Sequence, residues 1–135
     1  MPSFPVHLNV YDQSRSNAVL YYLGGGKYST NVEVDGNTYA FGGQKGVEVN
    51  PKHPPAKLRT KLRIGTAHVS QNDLEKTLLA LEREFSADSY DRVCRNSNNF
   101  SHALCMRLTG TGIPDWVNLQ FDLMTLFHGF PTLRI

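Results

Sequence analysis

The sequence predicts an α+β domain in which a small antiparallel sheet packs against helices. Three observations carry that expectation. Alternating, β-prone stretches fill the first half of the chain and amphipathic helical stretches fill the second. Between two of the β-prone runs stands an Asp-Gly pair, which marks a tight hairpin. The chain has 135 residues, the usual size of one domain, and shows no internal repeat, so residues 1–135 are expected to form one unit.

Taken in order, Val6-His-Leu-Asn-Val10 alternates like a strand with one buried face, and Tyr11-Asp12-Gln13-Ser14 follows as a turn. Asn17 to Leu23 is apolar and fits either element, and Gly24-Gly25-Gly26 ends it. The hairpin comes next: Thr30–Val34, the turn Asp35-Gly36, then Thr38–Phe41, closed by Gly42-Gly43. A proline-rich loop opens residues 50–65, after which Lys57, Arg59, Lys61 and Arg63 alternate with Leu58, Thr60, Leu62 and Ile64. Successive strand side chains point to opposite faces, so this predicts a strand with one basic and one largely apolar face.

Three helices follow. Ser70-Gln-Asn-Asp73 reads as a capping box, and Leu74, Leu78, Leu81 and Phe85 recur at helical spacing. A second helix starts near Ser97 or Asn98, buries Phe100, Ala103, Leu104 and Leu108, and stops at Gly110 and Gly112. A third begins after Pro114-Asp115 with Trp116, Leu119, Leu123 and Phe127 on one face.

Composition narrows the function classes. The net charge of +2 is too small to argue for nucleic acid, and no apolar stretch is long enough to span a bilayer. The first residues, MPSFPVHLNVYD, lack the pattern of a secretory signal. Cys94 and Cys105 are the two cysteines and form no CxxC pair, while the five histidines show no ligand spacing. No metal, no cofactor and a reducing compartment are therefore expected, with the cytoplasm as first location and the nucleus as second. Residues 50–65 nevertheless carry five positive charges and no acid. Lys57, Arg59, Lys61 and Arg63 would attract an acidic partner surface, or simply protect a solvated edge strand from aggregation.

Two places stand out as chemistry-bearing. One is Tyr28-Ser29-Thr30 at the entry to the hairpin; the other is Arg95-Asn96-Ser97-Asn98-Asn99-Phe100-Ser101 at the start of the second helix. A helix N-terminus gathers unsatisfied N–H groups and positive partial charge, so it favours a thiolate or an oxyanion. From residue type alone, however, Ser97 reads as a helix N-cap and Ser29 as a solvated strand residue.

The strings VHLNVYDQS, YSTNVEVDGNTYAFGG, GTAHVS, NSNNFS and GIPDWVN, in that order, resemble the PPPDE (DeSI) family over nearly the whole chain. The resemblance implies a circularly permuted papain-like fold and a cysteine isopeptidase linked to removal of SUMO or ubiquitin, with thioesterase activity in some members. It also implies that the family's histidine base, in a Y-H-T-G-V-E-V type motif, corresponds to Ser29. The nucleophilic cysteine of the N-C-N-x-F-S motif corresponds to Ser97. Tyr28, Asn96, Asn98 and Phe100 still fit the surrounding pattern and are expected to frame a binding cleft.

With serine at both positions, the chain is expected to be a pseudoenzyme that binds a protein or peptide, such as a ubiquitin-like tail. A serine hydroxyl needs a neighbouring base to react, and none is assigned. One alternative is residual peptidase or thioesterase activity through Ser97; another is an assembly role through strand 57–63. His102 falls about 140° around the helix from Ser97 and points away, while His7, His53 and His68 cannot be placed from sequence. A homodimer is implied by the resemblance only.

Overall fold

The computed structural model describes residues 2–13, 26–42, 45–91 and 93–128. The ambiguous segment Asn17 to Leu23, with Gly24, Gly25 and Gly43, lies outside them, as does the side chain of Phe127. Among the described residues there are five strands: β1 (Phe4–Asp12), β2 (Tyr28–Val34), β3 (Asn37–Gly42), β4 (Gly46–Val49) and β5 (Lys57–Ala67). Three α-helices follow, α1 (Gln71–Glu84), α2 (Ser97–Thr109) and α3 (Asp115–His128), with a 3-10 turn at Ala87–Ser89. The strands make one antiparallel sheet in the order β4-β3-β2-β1-β5, which gives the expected α+β architecture.

The hairpin forms because Asp35 and Gly36 both adopt positive φ, at 52° and 75°, as a two-residue turn of this hand requires. Period-two alternation then sorts the sheet into two faces. Val6, Leu8, Val10, Tyr28, Val32 and Val34 form a buried apolar surface, and α2 lays Phe100, Leu104, Cys105 and Leu108 into the same core. Phe41, Phe85 and Phe100 meet edge-on or tilted with ring centroids 5.2–6.1 Å apart. The opposite face is polar: Asn9 pairs with Asn31, and His7 with Glu33.

Helix ends follow the expected signals with one shift. The Ser70 hydroxyl accepts from the Asp73 N–H to cap α1. At α2 the cap is Asn96, whose side chain accepts from the Asn98 and Asn99 amides, while Asn99 Oδ1 accepts from the Asn96 N–H. Ser97 is thus the first helical residue, not the cap. Gly110 ends the helix in the left-handed conformation, with φ 78°.

Three further sequence expectations are corrected. β4 was not anticipated, because a four-residue strand carries too little alternation to register. On α3 the buried side chains are Val117, Asn118 and Phe121, with Trp116 partly covered; Leu119 and Leu123 face solvent. The basic strand does not keep one basic face. The pairing of β1 with β5 skips a residue at Ile64 and again at Arg59, and each bulge reverses the alternation. Lys61 and Arg63 therefore lie opposite Asn9 and His7 on the polar face, whereas Lys57 falls opposite Asp12, with the parity of Val10.

Candidate functional site

The site originates in a fork within the sheet. β2 pairs with β3 only over Val32–Val34 against Asn37–Tyr39. Below that point β2 stays with β1 down to Tyr28, while β3 stays with β4 down to Gly42. The two central strands part, and the N-terminus of α2 enters the gap: Ser97 Oγ accepts from the Thr30 N–H at 3.3 Å. A cleft of about 660 Å³ fills the fork. Ser29, Thr30 and Asn31 line one side, Ala40, Phe41 and Gly42 the other; Ser97 and Tyr90 lie at one end, and the loop carrying Pro51, His53 and Pro55 borders it.

Ser29 and Ser97, 68 positions apart in sequence, thus meet across a single peptide unit, the Thr30 amide. Ser29 is only 5% exposed, and among the described residues its hydroxyl has no hydrogen-bond partner. This overturns the reading of Ser29 as a solvated strand residue. Among the described residues, Ser97 Oγ receives that one backbone N–H, and no imidazole, carboxylate or amine bonds to it.

A buried polar network holds the fork open. Asn98 is fully buried; its Nδ2 donates to the Tyr28 carbonyl at 2.9 Å and to Asn118 Oδ1 at 2.8 Å. Its Oδ1 can only accept, so the Thr30 hydroxyl donates to it at 2.9 Å, and Thr30 Oγ1 in turn accepts from Ser101 Oγ at 2.8 Å. Asn118 Oδ1 also receives Asn96 Nδ2 at 3.2 Å, and its Nδ2 donates to Asp122. Strand β2 and helices α2 and α3 are locked together at the point where Ser97 emerges.

Four residues expected in the cleft lie behind it. Tyr28, Asn96, Asn98 and Phe100 are buried and do not line the opening. For Tyr28 alternation is the reason: its side chain lies on the α2 face of the sheet, opposite to those of Ser29 and Asn31. The Tyr28 ring packs edge-on against Trp116 at 5.1 Å, and Phe100 belongs to the aromatic core. Sequence reasoning missed Asn31, Glu48 and His53 as lining residues and Asn118 as the hub of the network. Asn118 does sit within the GIPDWVN string, which was the only available cue.

The remaining candidates lie elsewhere. His102 accepts the Ile113 N–H through Nδ1 and faces the α2–α3 connection, as its helical position requires. Cys105 is buried and its thiol is pushed up to about 12 by desolvation, so it supplies no thiolate near neutral pH. Arg59 pairs with Asp12 at 3.1 Å and Lys61 with Glu33 at 2.6 Å. Hydrogen bonds from Lys61 and Asn9 hold the Glu33 carboxyl below its usual range. Arg63 donates to the Thr66 hydroxyl. Two of the four strand cations are thus countered by the protein's own carboxylates. Among the described residues no group of three His, Cys, Asp or Glu side chains is placed to hold a metal, and no helix is long and apolar enough to cross a membrane.

Comparison with known proteins decides the family: the model of the PPPDE putative peptidase domain matches residues 4–131. The chain belongs to the PPPDE family. It is 34% identical over 120 residues to a DeSI-like protein of Arabidopsis thaliana, covering 84% of this chain and 54% of the plant protein. A DeSI-like protein of Schizosaccharomyces pombe is 33% identical over 139 residues, covering 95% of this chain and 68% of the yeast protein. A Caenorhabditis elegans protein named as a desumoylating isopeptidase 1 homologue is 33% identical over 128 residues, covering 87% of this chain and 38% of the nematode protein. The chain spans about half the length of the plant relative and under two fifths of the nematode one. The PPPDE assignment fits the sheet-and-helix architecture and the placement of the NSNNFS string at a helix start inside a cleft.

Proposed function

We propose that this PPPDE member is a catalytically silent isopeptidase homologue whose cleft holds an extended peptide, such as the tail of a ubiquitin-like protein, without cutting it. Ser97 and Ser29 stand where the family motif carries its nucleophile and base. The observation that supports this most is the bonding of Ser97 Oγ, which takes a backbone N–H and, among the described residues, has no base bonded to it. An unactivated serine hydroxyl is a poor nucleophile near neutral pH. The slot between two splayed strands suits an extended chain, and the nematode relative's name points to SUMO as the class of tail.

Hydrolysis of C-terminal aminocoumarin derivatives of SUMO and ubiquitin tests the proposal. The expected result is no fluorophore release above buffer. Release that disappears in Ser97→Ala would overturn it.

A second reading, residual hydrolysis, draws on His53, which borders the same cleft. It requires His53→Ala and Ser97→Ala each to abolish turnover in that assay. Assembly through strand 57–63 gains less support, because Arg59 and Lys61 are already paired and the bulges divide the basic residues between two faces.

A further inference from the structure

We infer that the cleft selects a tail ending in a free α-carboxylate, the product of isopeptide cleavage, over the same tail carried as an amide. The inference rests on the peptide-binding reading above and specifies the chemical state of the ligand.

Two residues that line the cleft, Ser29 and Ser97, carry donors not used within the described residues. The Ser29 hydroxyl is buried without a partner among the described residues, a state that native proteins seldom leave unexplained. At the start of α2 the Asn98 and Asn99 amides are taken by Asn96 Oδ1, whereas the Ser97 amide makes no hydrogen bond among the described residues. Ser97 Oγ accepts from the Thr30 N–H, which leaves its own proton to donate. These groups are neighbours, because the Thr30 nitrogen beside Ser97 Oγ is bonded to the Ser29 carbonyl carbon.

A carboxylate matches that arrangement. Its two oxygens only accept, and they carry the charge that the positive end of a helix stabilises. A carboxamide offers one acceptor oxygen in place of two and no charge, so it can use fewer of these donors and gains nothing from the helix end. The charged lining agrees: Lys27 adjoins β2 on the Ser29 side, while Glu48 lies two strands away, at least about 10 Å by strand spacing. A catalytic thiolate at position 97 would repel a bound carboxylate, so replacement by a neutral hydroxyl turns a site for making that product into one for keeping it.

The test uses a short fluorescein-labelled peptide ending in Gly-Gly, prepared once with a free carboxylate and once as the carboxamide, with binding read by fluorescence polarisation. The carboxylate is expected to bind at least about ten-fold more tightly, since charge-assisted hydrogen bonds are roughly twice as strong as neutral ones. Ser29→Ala is expected to reduce that preference several-fold, with its melting curve showing an intact fold. Equal affinity for the two peptides overturns the carboxylate inference and leaves the tail-binding reading standing. Binding of neither overturns both. A preference untouched by Ser29→Ala overturns the assignment to this site.

Discussion

Replacing Ser29 by His and Ser97 by Cys together turns the domain into a hydrolase of ubiquitin-like C-terminal substrates, with a gain on the order of 10³-fold or more over the wild-type chain. The geometry for this gain is already in place. Position 97 is the first residue of a 13-residue helix, where the helix end lowers the pKa of a thiol. Position 29 lines a cleft of about 660 Å³, into which an imidazole in place of the buried hydroxyl would extend. Either change alone restores little, because members of a catalytic pair act as a unit and their effects do not add. The same fluorogenic assay across the two single variants and the double variant checks the non-additivity. A silent double variant with an unchanged melting temperature would mean that the fork has drifted from a competent shape.

Asn98→Ala lowers stability by about 3 kcal/mol, because each buried polar group left unpaired costs about 1–3 kcal/mol. The substitution removes the acceptor for the Thr30 hydroxyl, the donor to the Tyr28 carbonyl and one of two donors to Asn118. For a chain of 135 residues that corresponds to a fall of about 10 °C in melting temperature. Ser29→Ala moves the other way, since it deletes a buried hydroxyl with no partner among the described residues; a gain of about 1 kcal/mol is expected. Denaturant melts of the two variants side by side test both signs. An Asn98→Ala variant as stable as wild type would show that the network does not hold β2 against the helices.

How far the sequence could be read depended on how local each determinant is. The β2–β3 hairpin was legible because Asp35 and Gly36 meet a backbone requirement that spans two residues. The helix starts were legible from their caps, although Asn96 and Ser97 are both good capping residues and only the Asn96–Asn99 box settles which one acts. The faces of α3 and β5 were misread for different reasons. On α3 two apolar stripes compete, one through Trp116, Leu119 and Leu123 and one through Val117 and Phe121, and docking through Asn118 selects the second. On β5 the alternation in the sequence is real, but two bulges reverse its meaning, and a pattern of apolar and charged residues carries no sign of a bulge.

The site divides the same way. Ser29 and Ser97 were reached through motif position, and the structure brings both to one cleft. The fork, the Asn98–Asn118 hub and the approach of His53 join residues from about 20 to 70 positions apart, and no window of sequence contains them. Tyr28, Asn96, Asn98 and Phe100, expected in the cleft, are buried behind it and do not line it.

Amide chemical-shift mapping of the isotope-labelled protein during titration with a Gly-Gly-ending tail peptide tests the account most directly. The account predicts saturable shifts centred on Ser29, Thr30, Asn31, Phe41, Gly42 and Ser97. Shifts confined to β5 and its basic residues, or no saturable shifts at all, would contradict the account.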